Sequence, residues 1–173
     1  MKYKIKTDIT ESGGSVEFYH IDKHPTLGFK EFRSKREARS AYKNQKKLAK
    51  YKLAPKVIGK VRKLLIEFES WKQPTGWGYI TKKIKLPDSK FWKNKNNLFK
   101  LQTMIDTMRK KTKLKFWDSH YDNIGIYRNR LMCIDTGGES FNKECNAWGN
   151  INPGPICRKC QKIIDCSCYS VIK

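Results

Sequence analysis

Residues 116–137 read Phe-Trp-Asp-Ser-His-Tyr-Asp-Asn-Ile-Gly-Ile-Tyr-Arg-Asn-Arg-Leu-Met-Cys-Ile-Asp-Thr-Gly, and no other stretch of the chain limits its fold as tightly. Asp118 precedes Asn123 by five positions, an apolar run broken by a Tyr127-Arg-Asn-Arg130 turn follows, and a second acid, Asp135, stands two residues before Gly137. A carboxylate, an amide and a second carboxylate in that order meet the needs of phosphoryl transfer. That reaction asks little covalent chemistry of side chains. It requires a carboxylate to orient the attacking hydroxyl and an oxygen-rich shell to hold magnesium on the phosphates. Asp118, His120 and Asp122 also alternate, which would place three metal ligands of a hydrolase on one face of an extended strand. That scheme gives Asn123 and Asp135 no role and ranks second. Singly, Asp118, Asn123 and Asp135 are accounted for by turn chemistry, since short polar side chains hydrogen-bond their own backbone. Their ordered occurrence argues for more.

Upstream, Lys2 to Lys6 alternates charged and apolar side chains and predicts an exposed strand, with Val16–Ile21 as its hairpin partner across a Gly13-Gly14 turn. Thr26–Phe32 predicts a third strand, carrying Lys30. A helix is predicted from Ser34 to about Tyr51, with Ala38, Ala41, Leu48 and Ala49 recurring at helical spacing beside Tyr42. Ser34 and Glu37 fit a capping box at its start. Leu53–Gly59 closes the helix and begins a fourth strand; Lys63–Phe68 and Gly76–Thr81 read as strands around a Gln73-Pro-Thr turn. Further on, Leu98, Leu101, Ile105 and Met108 define one apolar face of a helix, a core stripe rather than a cofactor box.

The pattern Asp118-x4-Asn123 followed by Asp135-Thr-Gly137 resembles the catalytic and metal-binding loops of the protein-kinase-like superfamily, particularly its atypical, aminoglycoside-phosphotransferase-like branch. His120 then occupies the position that is Lys in typical protein kinases. Leu27-Gly-Phe-Lys30 resembles the strand whose lysine reaches the first two phosphates of the nucleotide, and Glu37 the helix glutamate that pairs with it. The resemblance implies an α+β, two-lobed fold: a five-stranded antiparallel N-lobe with one helix over residues 1–84, a reduced helical C-lobe over 85–144 and a Cys-rich tail over 145–173. It implies that Ile124–Tyr127 and Leu131–Ile134 form the hairpin between the two loops, and that Ile80–Ile84 is the hinge holding adenine. It further implies ATP and Mg2+ as cofactors, Asp118 as catalytic base, His120 beside the transferred phosphoryl group, Lys30 and Glu37 at the nucleotide, and Asn123 and Asp135 as magnesium ligands. Gly13-Gly14 departs from the glycine-rich loop of that family and reads as a hairpin turn. After Gly137 only 36 residues remain, so the chain would be a minimal member with no peptide-substrate platform.

Charge is the most extreme bulk property: 38 Lys and Arg against 16 Asp and Glu, a formal net charge of +22. Thirteen cations fall between Arg33 and Lys63, opposed by Glu37 alone. A field of that sign gathers polyanions, so nucleic acid, a ribonucleoprotein or an acidic protein is an expected partner. Lysine- and asparagine-rich usage is equally what an AT-rich small genome, such as a phage's, would encode. No run approaches the roughly 18 apolar residues of a membrane span, and the start lacks the apolar core of a signal peptide, so a cytoplasmic protein without membrane contact is expected.

Six cysteines without a secretory leader argue against a disulfide framework. Cys157, Cys160, Cys166 and Cys168 form a Cys-x2-Cys and a Cys-x-Cys pair close enough for a tetrahedral structural Zn2+, with Cys145 as a substitute ligand; free thiols in a loose tail are the plain alternative. Cys133 reads as a small core residue. The expected function is therefore an ATP- and magnesium-dependent phosphotransferase. The alternative is a catalytically idle kinase-like or zinc-containing module that binds nucleic acid or a ribonucleoprotein through its basic surface.

Overall fold

The computed structural model describes residues 3–13, 16–67, 71–116 and 121–141. Two compact units divide the chain, one comprising Met1–Ala49 with Pro55–Lys83 and the other Lys50–Ala54 with Ile84–Lys173. The expected α+β class holds, with a sheet that is antiparallel at all but one of its pairings.

The first unit runs β1 (Ile5–Gly13), β2 (Val16–Ile21), β3 (Leu27–Phe32), α1 (Lys35–Ala49), β4 (Val57–Arg62), β5 (Leu65–Glu67), β6 (Lys72–Pro74) and β7 (Trp77–Lys82). Spatially the strands follow the order β4-β7-β3-β2-β1-β5-β6. The five-stranded expectation is thus corrected to seven. The Gln73-Pro-Thr segment predicted as a turn contributes strand β6 instead. Its pairing is clamped at Thr75, whose backbone N–H donates to the Leu64 carbonyl (2.9 Å) while its hydroxyl accepts from the Leu64 N–H (2.9 Å). β5 falls inside the strand expected over Lys63–Phe68, whereas β6, at three residues, is too short to show a period in the sequence. The hairpin extends the sheet past β1 through a parallel bridge of Ile5 to Ile66, which covers an edge that would otherwise present unpaired backbone groups.

Both sheet faces are covered near β3. Ile5, Tyr19, Ile21, Phe29, Leu64, Ile66 and Ile80 form the core on one face. On the other, Phe32 and Tyr79 pack under Ala38 and Ala41 of α1, where small side chains let the helix approach closely. The helix starts at Ser34, whose Oγ accepts the Glu37 N–H (3.2 Å), half of the expected capping box. It is fixed to the sheet by a polar node. Gln45, fully buried, donates to the Pro55 carbonyl (3.0 Å) and to Thr81 Oγ1 (2.6 Å), and accepts from the Tyr79 hydroxyl (2.9 Å).

Glu31 lies directly across the β2–β3 ladder from Glu17, and its Oε2 is buried without a hydrogen-bond partner among the described residues. Burial pushes its carboxyl pKa up, opposed by the Gly76 backbone N–H and reinforced by the Glu17 charge. The folded chain therefore holds this proton more tightly than the unfolded chain does, and stability falls as pH rises from the unfolded pKa through the raised one. Glu31→Gln is expected to raise the melting temperature at pH 7. That gain should vanish below pH about 4, where both states of the parent carry the proton. A gain that persists undiminished at low pH would refute the assignment.

The second unit contains α2 (Ser89–Trp92), α3 (Lys95–Thr112), a 3-10 turn (Tyr121–Asn123), β8 (Ile124–Tyr127), β9 (Arg130–Cys133) and α4 (Gly138–Phe141). Asp88 caps α2 through the Phe91 N–H (2.8 Å), and Asn94 caps α3 through the Asn96 N–H (2.9 Å). Leu101, Met104, Ile105, Met108 and Thr112 form the buried face of α3, whereas Leu98 at its start is only half-buried. Lys113 in the left-handed region (φ 61°) ends the helix. Leu53 belongs to this unit, its carbonyl accepting the Cys133 N–H (2.9 Å). No helix among the described residues is long and apolar enough to cross a membrane.

Candidate active site

Lys30 occupies the middle of β3, with ladder partners Phe18 on β2 and Tyr79 on β7. Directly paired residues share a face, and Lys30 shares it with Phe32 two residues on, so its side chain rises on the face that α1 covers. Gly28 lies on the same face, and a Cβ there would come 2.0 Å from the Phe18 ring. The missing side chain gives Phe18 its place over the strand next to Lys30. Lys30 is 8% exposed, the only charged side chain buried among the described residues, with its Nζ 5.7 Å from the centre of the Phe32 ring. Taken as one lysine among many it would be a solvated charge. Burying an ammonium costs several kcal/mol unless partners compensate it, a cost that a Leu or Met at this position would not carry. Glu37, one turn into α1, has an exposed side chain.

In the second unit the β8–β9 ladder pairs Ile124 with Cys133, Gly125 with Met132, Ile126 with Leu131 and Tyr127 with Arg130. The intervening Arg128 and Asn129 both have positive φ (48° and 60°), the pattern of a two-residue type I′ turn. Its register has a chemical consequence. The Ile134 N–H donates to the Asn123 carbonyl (2.9 Å), so the ladder closes with Asn123 and Asp135 at the same open end of the hairpin. The Asp135 carboxylate is oriented by two donors: the Gly137 N–H to Oδ1 (3.1 Å) and the Ser140 hydroxyl to Oδ2 (2.6 Å). Its backbone carbonyl accepts from Cys133 Sγ (2.9 Å), so this buried thiol has a polar contact beyond simple packing. Asn123 and Asp135 are each half-buried and offer hard oxygen donors, the chemistry that suits magnesium.

Asp118 and His120 lie outside the described residues. Their described neighbours are anchored: Phe116 is fully buried with its ring 5.7 Å from that of Phe141, and Tyr121 stacks on Trp92 at 4.5 Å. Burial raises the Tyr121 hydroxyl pKa. Asp122, the third residue of the rival hydrolase triad, is an exposed carboxylate of the 3-10 turn. The proposed zinc ligands Cys157, Cys160, Cys166 and Cys168 also lie outside the described residues. A groove of about 490 Å³ in the second unit, lined by Tyr51, Phe99, Met104 and Arg130 among others, contains none of the candidate residues.

The structure thus brings Asn123 and Asp135 together within one unit and buries Lys30 in the other. Ser140 was not singled out from the sequence, although a hydroxyl five residues after the acid, across a Gly-Gly turn, is within reach of a carboxylate. Neither protein-family models nor curated proteins give a match to this chain.

Proposed function

We propose that the chain is a protein-kinase-like phosphotransferase of minimal size that uses ATP and magnesium. The observation that carries the reading is the closure of the β8–β9 hairpin through Ile134 N–H to the Asn123 carbonyl, which puts Asn123 and the oriented carboxylate of Asp135 at the same open end of the hairpin. The burial of a cation at Lys30, on the face of β3 that α1 covers, supports it. In this reading Asn123 and Asp135 hold the metal and Lys30 takes the charge of the first two nucleotide phosphates; Glu37, expected as its partner, is exposed and makes no ion pair with Lys30 among the described residues. Asp118 accepts the proton of the attacking hydroxyl and His120 donates a hydrogen bond to the transferred group. Magnesium, when bound, neutralises charge that builds on the phosphoryl oxygens. The tail cysteines would hold a structural zinc.

The test pairs calorimetry with turnover. The parent is expected to bind ATP in magnesium buffer and to hydrolyse or transfer its terminal phosphate. Asp118→Ala should keep that affinity while turnover falls about 10²- to 10⁴-fold, as befits a proton acceptor. Lys30→Met should weaken binding itself. A parent chain that gives no heat with ATP would overturn the proposal and leave the non-catalytic basic module in its place.

A further inference from the structure

The cations of α1 are not spread around the helix. At about 100° of rotation per residue, Lys35, Arg36, Arg39, Lys43, Lys46 and Lys47 all fall within an arc of about 120°. All six are exposed. The buried residues Ala38, Ala41, Gln45 and Leu48 occupy the opposite side, and Glu37, the helix's one acid, lies outside the stripe. Among the described residues no carboxylate comes within ion-pair distance of any of the six. Two of them are steadied by aromatic rings, with Lys35 Nζ 4.1 Å from the centre of Trp77 and Lys46 Nζ 6.0 Å from that of Tyr42. The six cations therefore form one ridge that no carboxylate among the described residues neutralises.

Its dimensions select a partner. From Lys35 to Lys47 the helix rises about 18 Å, so the ridge carries roughly one cation per 3 Å. A nucleic-acid strand carries about one phosphate per 3.4 Å of duplex axis. An anionic membrane would require an apolar face free to enter the lipid, and the apolar face of α1 is spent on its own sheet. An acidic protein partner would require an exposed aromatic or aliphatic anchor among the charges, and the arc contains none. By contrast α3, also basic, distributes Lys95, Lys100, Arg109, Lys110 and Lys111 over more than half of its circumference and pairs Arg109 with Asp106 (3.8 Å).

We propose that the exposed face of α1 is a binding surface for the phosphate backbone of nucleic acid, independent of sequence and independent of the phosphotransferase reading. Fluorescence anisotropy with a labelled 20-base-pair DNA duplex and a 20-nucleotide single-stranded RNA, between 50 and 200 mM NaCl, tests it. With about six phosphates neutralised, log affinity should fall against log salt with a slope of about −5 for the duplex and about −4 for the single strand, and the tighter arm identifies the form bound. Arg39→Gln/Lys43→Gln/Lys46→Gln should cut the magnitude of the slope by about 3 and weaken duplex binding about 10²-fold at 0.1 M salt, without lowering the melting temperature. The matched triple Lys100→Gln/Lys110→Gln/Lys111→Gln on α3 removes the same charge and should change the slope by less than about 1. Equal losses from the two triples would reduce the effect to bulk charge and overturn the proposal, as would binding of neither oligonucleotide. Polyglutamate of matched length binding as tightly as the duplex, and losing that affinity with the α1 triple, would reassign the ridge to acidic proteins.

Discussion

Asp135→Ala is expected to abolish magnesium-dependent turnover, by about 10³-fold or more, while leaving the chain folded. That loss corresponds to about 4 kcal/mol of transition-state stabilisation, the size associated with removing a group aimed at developing charge in a desolvated site. The reason lies in what already holds this carboxylate. Gly137 N–H and the Ser140 hydroxyl each donate to a different oxygen, which fixes the plane of the group. Truncation removes the ligand and strands two donors at once. The structural part of the loss should be about 1–3 kcal/mol, because the Gly137 turn is half-buried whereas Ser140 is 1% exposed and its hydroxyl would lose this acceptor. Ser140→Ala gives the graded companion: the proposed ligand stays but loses the Ser140 donor, and the expected loss is about 10-fold, the scale of an outer-shell orienting partner. Steady-state turnover with and without magnesium, read beside thermal melts, separates the contributions. Asp135→Ala retaining more than about a tenth of parental turnover would be incompatible with a metal-binding role.

How much of this could be read in the sequence differs by element, for physical reasons. The β8–β9 hairpin was legible because apolar runs stand on either side of the Arg128-Asn-Arg130 turn; β8 matches its run, and β9 begins one residue before the expected Leu131–Ile134. The stripe on α3 was legible because helical spacing repeats over several turns, which makes one departure, the half-buried Leu98 in its first turn, unimportant. β5 was legible inside the strand expected over Lys63–Phe68, but β6 escaped because three residues cannot display a period, and the pairing of the two depends on Thr75, whose hydroxyl role is invisible until the chain is folded. Burial of Lys30 was hidden by abundance. One lysine among 38 basic residues carries no mark of its own, and what buries it is a helix supplied later in the chain. Gln45 left a weak signal that composition drowned: it lies four residues after Ala41 and three before Leu48, on the apolar face, amid Lys43, Asn44, Lys46 and Lys47. A polar residue at a core position of an amphipathic helix calls for buried partners. Naming those partners required the register of β7, which no local pattern supplies.

Gln45→Leu is accordingly expected to be the most destabilising single polar substitution in the first unit, at about 3–5 kcal/mol. The side chain is similar in volume, so little of this comes from packing; nearly all comes from partners left behind. The Pro55 carbonyl loses its donor, the Tyr79 hydroxyl loses its acceptor, and Thr81 Oγ1 keeps only its bond to the Lys56 carbonyl (3.2 Å). Gln45 and Tyr79 are fully buried and Thr81 nearly so, so water cannot replace what is lost, and each stranded group costs about 1–3 kcal/mol. The same logic predicts non-additivity. Tyr79→Phe removes the hydroxyl that Gln45→Leu would strand, so the double variant should be less destabilised than the sum of the two singles by about 1 kcal/mol or more. Chemical denaturation of the four chains measures the cycle, and a Gln45→Leu chain within about 1 kcal/mol of the parent would show that the node does not hold α1 to the sheet. If it does, the loss reaches Lys30, because the helix that Gln45 anchors is the one that covers the face from which Lys30 rises. At denaturant concentrations below the unfolding transition, Gln45→Leu should therefore weaken ATP binding without touching any group proposed to contact the nucleotide.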